Sequence, residues 1–255
     1  MLTAYPTHLR IFLWPGKVLY FGPSPPLGQH LYGAAAIHVG IYKPFQIRIN
    51  RGAAVVCSCA IIPPGVNHEI DFGNGIHGKM FVEMDSPEFQ LLRQRFPYRT
   101  HSATTFHDAG LVDCFRSIYE DDPAKDEVDM RLSRLLGDAS SMRVIDPRIQ
   151  AAIEIMRNEP DRNFPNEYLA AAVDLSPSRF LHLFRAETGN PYRRFRRWKR
   201  LLTAAGQFHQ ADNMTHVALN NGFTDSAHFS NCFHQSFGVQ PSFVFRAIER
   251  FEMIT

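Results

Sequence analysis

Two sets of polar side chains in this 255-residue chain have the types and spacing needed to read the edges of nucleic-acid bases. Arg179, with Ser178, His182 and Arg185 beside it, carries the planar fork that meets guanine O6 and N7 in a major groove. Asn231, with Ser226, His228 and Ser230, is the corresponding adenine reader. Between the two sets, Arg193-Arg194-Phe195-Arg196-Arg197-Trp198-Lys199-Arg200 holds six cations and no acid. Charge of this kind suits phosphate contacts, which give sequence-independent, salt-sensitive affinity. Arg193, Arg194 and Arg197 are the phosphate candidates; the plainer alternative for each is a solvated helix face.

A second group is suited to holding a small molecule: His30, Tyr32, His38, Arg48, His68 and Glu83 place polar groups among apolar runs, and each is equally readable as a structural residue. A metal site needs three or four convergent ligands. His30 and His38 lie eight residues apart with no His-x-His, so no metal, cofactor or catalytic residue is expected from His30, His38, His68 and His77. Cys57-Ser58-Cys59 is the remaining reactive pattern, because alternate residues of one strand share a face and two thiols there can oxidise or bind a soft metal. Its plain reading is two small apolar fillers.

The base-reading sets need short helices. Leu169, Ala172 and Val173 mark one face of a helix, Ser176-Pro177 supplies a cap and a first-turn proline, and Phe180, Leu183 and Phe184 turn inward on the next helix. The pattern recurs from Asn213 to Phe237: Met214, Val217 and Ala218, then the turn Asn221-Gly222-Phe223-Thr224-Asp225, then Phe229 and Phe233. Each copy is a helix-turn-helix. Asn190-Pro191 opens the basic helix between them, expected to reach about Phe208 with an inward stripe of Phe195, Trp198, Leu202 and Ala205. A helix of about 18 residues spans roughly 27 Å, near the roughly 34 Å between successive major-groove faces of B-DNA. Asp146-Pro147 caps an earlier helix with Ile149, Ala152, Ile153 and Met156 inward.

From about Leu9 to Arg99 the chain reads as strands and turns. Val18–Phe21, Ala34–Val39, Phe45–Ile49, Ala53–Cys59 and Gly78–Met84 are strand candidates, broken by Pro- and Gly-rich runs such as 22–26, 63–65 and 72–75. Many short strands suggest a small barrel or sandwich. Asp108–Glu120 and Asp126–Asp138 then carry wide apolar stripes that need a partner. The fold class is therefore α+β with two domains: a β domain over 1–105, a helical pair over 106–139, a linker at 140–146 and an all-α domain over 147–255.

With 45% hydrophobic residues the chain can bury a core in each domain. Its charge is uneven: residues 148–255 hold 13 Lys/Arg against 10 Asp/Glu, a balance of +3, and residues 1–147 hold 14 against 15, a balance of −1. Four cysteines do not make a disulfide framework, and no apolar run approaches a membrane span, so a cytoplasmic protein with no membrane partner is expected.

The run Leu175-Ser176-Pro177-Ser178-Arg179-Phe180 through Phe184-Arg185-Ala186-Glu187-Thr188-Gly189, followed by Gly222-Phe223-Thr224-Asp225-Ser226-Ala227-His228-Phe229 through Phe237-Gly238-Val239-Gln240-Pro241, resembles the DNA-binding domain of AraC/XylS-family transcriptional regulators. Pro63-Pro64-Gly65-Val66-Asn67-His68 resembles the second motif of cupin barrels, which often serve as sensors in that family. The resemblance implies a regulator that binds double-stranded DNA under a small-molecule effector held in the barrel. It further implies a homodimer through 108–138 and a role for RNA polymerase as partner, and no enzymatic activity. The alternative is a cupin-type metalloenzyme, or a redox or metal sensor, with a DNA-binding tail.

Overall fold

The computed structural model describes residues 9–14, 16–137, 145–159, 162–207, 214–242 and 251–254. Most of the expected linker, Phe208 and Asn213 lie outside those residues.

The strands are β1 (Leu9–Trp14), β2 (Lys17–Pro23), β3 (Leu27–His30), β4 (Ala35–Gly40), β5 (Phe45–Ile49), β6 (Ala54–Cys57), β7 (Cys59–Ile62), β8 (His68–Asp71), β9 (Ile76–Val82), β10 (Thr104–Phe106) and β11 (Phe251–Ile254). They form two facing sheets, one ordered β10-β7-β4-β9-β2-β1-β11 and the other β3-β8-β5-β6. All described pairings are antiparallel except β1 with β11, where Leu9 is in register with Phe251. The end of the chain thus returns to the first sheet, a departure from the all-α reading of 147–255.

The two-residue period of a strand sends alternate side chains to opposite faces, and here both faces are buried. In β9, Ile76, Met80 and Val82 join an outer core while Phe81 joins the inner core between the sheets. His77 and Lys79 share Phe81's side. Three helices cover the outer face: α1 (Pro87–Arg95), α2 (Ala109–Asp121) and α3 (Lys125–Leu136). The α2 stripe of Leu111, Val112, Phe115, Ile118 and Tyr119 and the α3 stripe of Val128, Leu132 and Leu136 are spent on this sheet. Their apolar faces therefore have a partner within the chain. Gly78 lets α2 approach, since a Cβ there would lie 2.2 Å from the Phe115 ring.

Two readings of this half change. The span Pro87–Arg95 is a helix rather than strand and turn, started by Ser86, whose side chain accepts from the Phe89 amide, and by Pro87 in the first turn. The expected strand Ala53–Cys59 is two strands broken at Ser58, so Cys57 ends in the inner core and Cys59 in the outer one. The two thiols do not share a face, and burial first pushes them up to about 12 and about 11. That removes the basis for a paired redox or soft-metal site.

The helices of the second half are α4 (Pro147–Asn158), α5 (Asn166–Ala172), α6 (Pro177–Thr188), α7 (Tyr192–Gln207), α8 (Met214–Asn220) and α9 (Ser226–Phe237). α4, α5, α6 and the start of α7 close around Ile149, Ile153, Leu169, Phe180, Phe184 and Phe195 as a core of their own. Among the described residues the second unit has no separate core. Trp198, Leu201, Ala204, Val217, Phe229, Phe233 and Phe237 belong to the same cluster as the inner face of the barrel.

α7 runs 16 residues, about 24 Å, and its buried stripe is Tyr192, Phe195, Trp198, Leu201 and Ala204. This replaces Leu202 and Ala205, which are only half-buried. Rotation by one position lets α7 serve the barrel and α9 together. Asn190 does not cap α7 with its side chain. It is fully buried, and its Nδ2 donates to the Gly33 carbonyl at 2.6 Å, while the Pro191 carbonyl accepts from the Arg194 and Phe195 amides.

Candidate nucleic-acid interface and sensor core

Both helix-turn-helix units are fixed by local chemistry. Ser176 Oγ accepts from the Arg179 amide at the start of α6, and Gly189 ends that helix in the left-handed region at φ 68°. Asp225 accepts from the His228 amide at 2.7 Å to start α9, and Gly238 closes it at φ 77°. With Phe180 and Phe184 turned inward on α6, Ser178, Arg179, His182 and Arg185 are all exposed. Phe229, Cys232 and Phe233 turn inward on α9, which leaves His228 and Asn231 exposed and Ser226 and Ser230 half-buried. His228 is also tied to the turn, its Nδ1 lying 3.1 Å from Thr224 Oγ1.

The six cations of α7 divide into two kinds. Arg193 and Arg197 are exposed. Arg196 donates to the Phe164 carbonyl at 2.7 Å, Arg200 donates to the Asn221 carbonyl at 2.7 Å and stacks 4.3 Å over Phe223, and Lys199 pairs with Glu83 of the barrel. Arg194, a phosphate candidate from sequence, is half-buried against the barrel: a Cβ on Gly65 would lie 2.1 Å from its Nη1. Burial first, then the nearby Arg197 and Arg185 cations, push its pKa below the usual guanidinium range. The sequence reveals six charges but not that two of them, Arg194 and Lys199, face the barrel and two more, Arg196 and Arg200, bond within their own domain.

The small-molecule candidates also divide. His30, Tyr32, His38 and His68 converge inside the barrel, with ring centroids 4.1 Å apart for His30 and His68 and 4.5 Å for Tyr32 and His68, and Tyr32 Oη 3.1 Å from His38 Nε2. Arg48 lies on the outer side of β5, exposed, 3.4 Å from Glu69. Glu83 is 2% exposed at the domain interface, where burial raises its carboxyl and the Lys199 ammonium opposes the rise. Two further residues join the inner group: Lys79, which the sequence does not single out, and His77, which it offers only as a metal-ligand candidate. Lys79 is 6% exposed and sits over the rings of Tyr20, Tyr32 and Phe81 at 5.7, 5.7 and 5.1 Å. His77 stacks on Phe72 at 3.7 Å. The signal for both was the alternation His77-x-Lys79-x-Phe81, which puts a lysine on the aromatic side of β9.

Burial dominates the electrostatics here. It pushes His30 down to about 2, His68 down to about 4 and Lys79 down to about 7, and holds His38 and His77 well below the usual imidazole range. Among the described residues no group of three or more His, Cys, Asp or Glu is arranged to hold a metal ion. No described helix is long and apolar enough to cross a membrane.

The domains are locked at one end of the barrel. Besides Asn190 with Gly33, the Leu31 amide donates to the Gln235 carbonyl at 3.2 Å, and Arg157 pairs at 2.7 Å with Asp85, whose side chain is fully buried. Trp198 packs against Phe81 and Phe237 at 4.9 and 5.2 Å.

A β fold carrying two helix-turn-helix units whose second helices turn polar faces outward has the geometry of a DNA-binding protein. Residues 169–247 match the family model described as a helix-turn-helix domain. The whole fold is similar to that of ToxT from Vibrio cholerae. An apo variant superposes with a TM-score of 0.62 at 8% identity, covering 91% of this chain and 98% of that one. Wild-type ToxT with bound unsaturated fatty acid gives 0.55 at 9% identity, covering 91% and 97%. A complex of ToxT with (E)-4-(8-methylnaphthalen-1-yl)but-3-enoic acid gives 0.57 at 9% identity, covering 91% and 99%. No curated protein sequence matches the chain.

Proposed function

We propose that this protein is a sequence-specific DNA-binding transcriptional regulator whose second helix-turn-helix unit is governed by the contents of the barrel. The observation that carries this is the double duty of α9. Its first half presents Ser226, His228, Ser230 and Asn231 outward, and its last turn, through Gln235, Phe237 and Gly238, is seated on the barrel at Leu31, Phe81 and His30.

Such a helix cannot change its seating at one end without re-aiming the other. An effector acts here only through its difference in affinity for the two seatings. Carboxylic acids bound to proteins of this fold, as in the ToxT complexes, support a small-molecule effector.

In this reading Arg179 and Asn231 read bases, helped by Ser178, His182, Arg185, Ser226, His228 and Ser230, and Arg193 and Arg197 meet phosphates. Arg194 is moved from the phosphate set to the domain interface. A homodimer through 108–138 would use the outward faces of α2 and α3, where Met130 is exposed, since their apolar stripes lie on the sheet. Fluorescence anisotropy on a randomised duplex pool, followed by selection, tests the function. The expected result is an enriched site bound at least about a thousandfold more tightly than bulk DNA. No enrichment at physiological ionic strength overturns it.

A further inference from the structure

Lys79 is a buried ammonium whose neighbours are ring faces, and no described carboxylate forms an ion pair with it. A charge taken out of water without a partner is costly, so an amino group placed this way is suited to receive an anionic group. Beside it, His30 Nδ1 lies 2.6 Å from the Gly28 carbonyl and His68 Nδ1 lies 2.9 Å from the Val66 carbonyl. Each carbonyl can only accept, so both Nδ1 atoms carry hydrogens. In the neutral rings this leaves each Nε2 as a lone-pair acceptor. Both Nε2 atoms are fully buried and without a hydrogen-bond partner.

The interior therefore offers one cation for an anionic group and two acceptors for hydroxyl hydrogens, between the faces of Tyr32 and Phe81. We infer that the barrel holds a small hydroxylated carboxylic acid, its carboxylate on Lys79 and its hydroxyls on His30 and His68. A metal ion is disfavoured by the ammonium in its place. Inorganic phosphate suits the site poorly, because a multiply charged anion has a single cation to meet and few hydrogens to offer the imidazoles. The site rests on the regulator reading for its purpose, and it reaches α9 through contacts already described: Lys79 over Phe81, and Phe81 against Trp198 and Phe237.

The test uses the full chain with 3,4-dihydroxybenzoate and D-galacturonate as aromatic and sugar-derived probes, and with benzoate and catechol as partners lacking one of the two features. Calorimetric titration should show at least one hydroxy acid binding about tenfold or more tightly than benzoate or catechol, and raising the melting temperature. Lys79→Met should lose that binding while melting no lower than the parent, because it removes an unpaired buried charge; Lys79→Gln serves if the Met variant does not fold. His68→Phe should abolish the preference for the hydroxylated acid over benzoate. Failure of both acids to bind, or unchanged binding by Lys79→Met, overturns the inference. Duplex binding by the same samples is followed separately. A chain that grips DNA but takes neither acid refutes the site alone, and one that takes an acid but grips no DNA refutes the regulator reading alone.

Discussion

Trp198 of α7 and Phe81 of β9 pack as a tilted pair, 4.9 Å between ring centroids and 55° between planes, across the boundary between the two domains. Trp198 is 1% exposed and lies so close to the β3–β4 turn that a Cβ on Gly33 would come within 2.8 Å of its Cβ and 3.2 Å of its indole ring. Replacing Trp198 with Ala removes the largest side chain shared by both halves. The expected cost is about 3–5 kcal/mol, read from urea unfolding. A cost under about 1 kcal/mol would mean that the domains are not joined there.

Asn231 is the exposed amide on the outward face of α9. Asn231→Ala should change the preference at one base position by about 1–3 kcal/mol and leave the other positions as they were. Uniform weakening on every sequence would instead make Asn231 a backbone contact.

Arg193 and Arg197 should behave differently from Arg196 and Arg200. Alanine at either exposed position is expected to lower the salt dependence of DNA binding by about one unit of slope with little effect on folding. Alanine at Arg200 leaves the Asn221 carbonyl without its donor, a loss of about 1–3 kcal/mol in stability, and alanine at Arg196 costs less because Tyr192 Oη still donates to the Phe164 carbonyl. Equal salt slopes for all four variants would contradict the division.

The buried bases of the barrel set the response to pH. His30, His38, His68 and His77 have native pKa values below the 6.5 of the unfolded chain, and Lys79 falls from 10.5 to about 7. The other titratable groups facing them, Tyr20 and Tyr32, are raised by burial and stay neutral. The unfolded state therefore binds more protons than the native state, and stability must rise with pH. Below pH 6.5 the protein should lose up to about 1.4 kcal/mol per pH unit for each histidine that stays neutral. Between about pH 7 and 10.5 Lys79 adds a gentler gain, which Lys79→Met should abolish. Urea midpoints from pH 5 to 9 measure both limbs.

Much of this was legible in the residues, and the failures have physical causes. Helix caps were read correctly where a polar residue and a proline precede an apolar period, at Asp146-Pro147 and Ser176-Pro177. The same signature at Ser86-Pro87 was passed over because Gln90, Arg93, Gln94 and Arg95 dilute the apolar pattern of that short helix. Asn190 also reads as a cap, yet tertiary structure uses its amide for Gly33. The stripe of α7 slipped by one position because sequence shows one partner face, whereas the helix meets two. Inside the barrel the histidines were visible as types, but Lys79 was not suspected, since a lysine in a strand ordinarily faces water.

Among the described residues the second helix-turn-helix unit has no interior that is its own; its phenylalanines complete the inside of the barrel. Heat should consequently dismantle reader and sensor together, as a single endotherm whose calorimetric and van't Hoff enthalpies agree. Whatever loosens the barrel should therefore also loosen the seating of α9 and, on the proposed function, the grip on DNA.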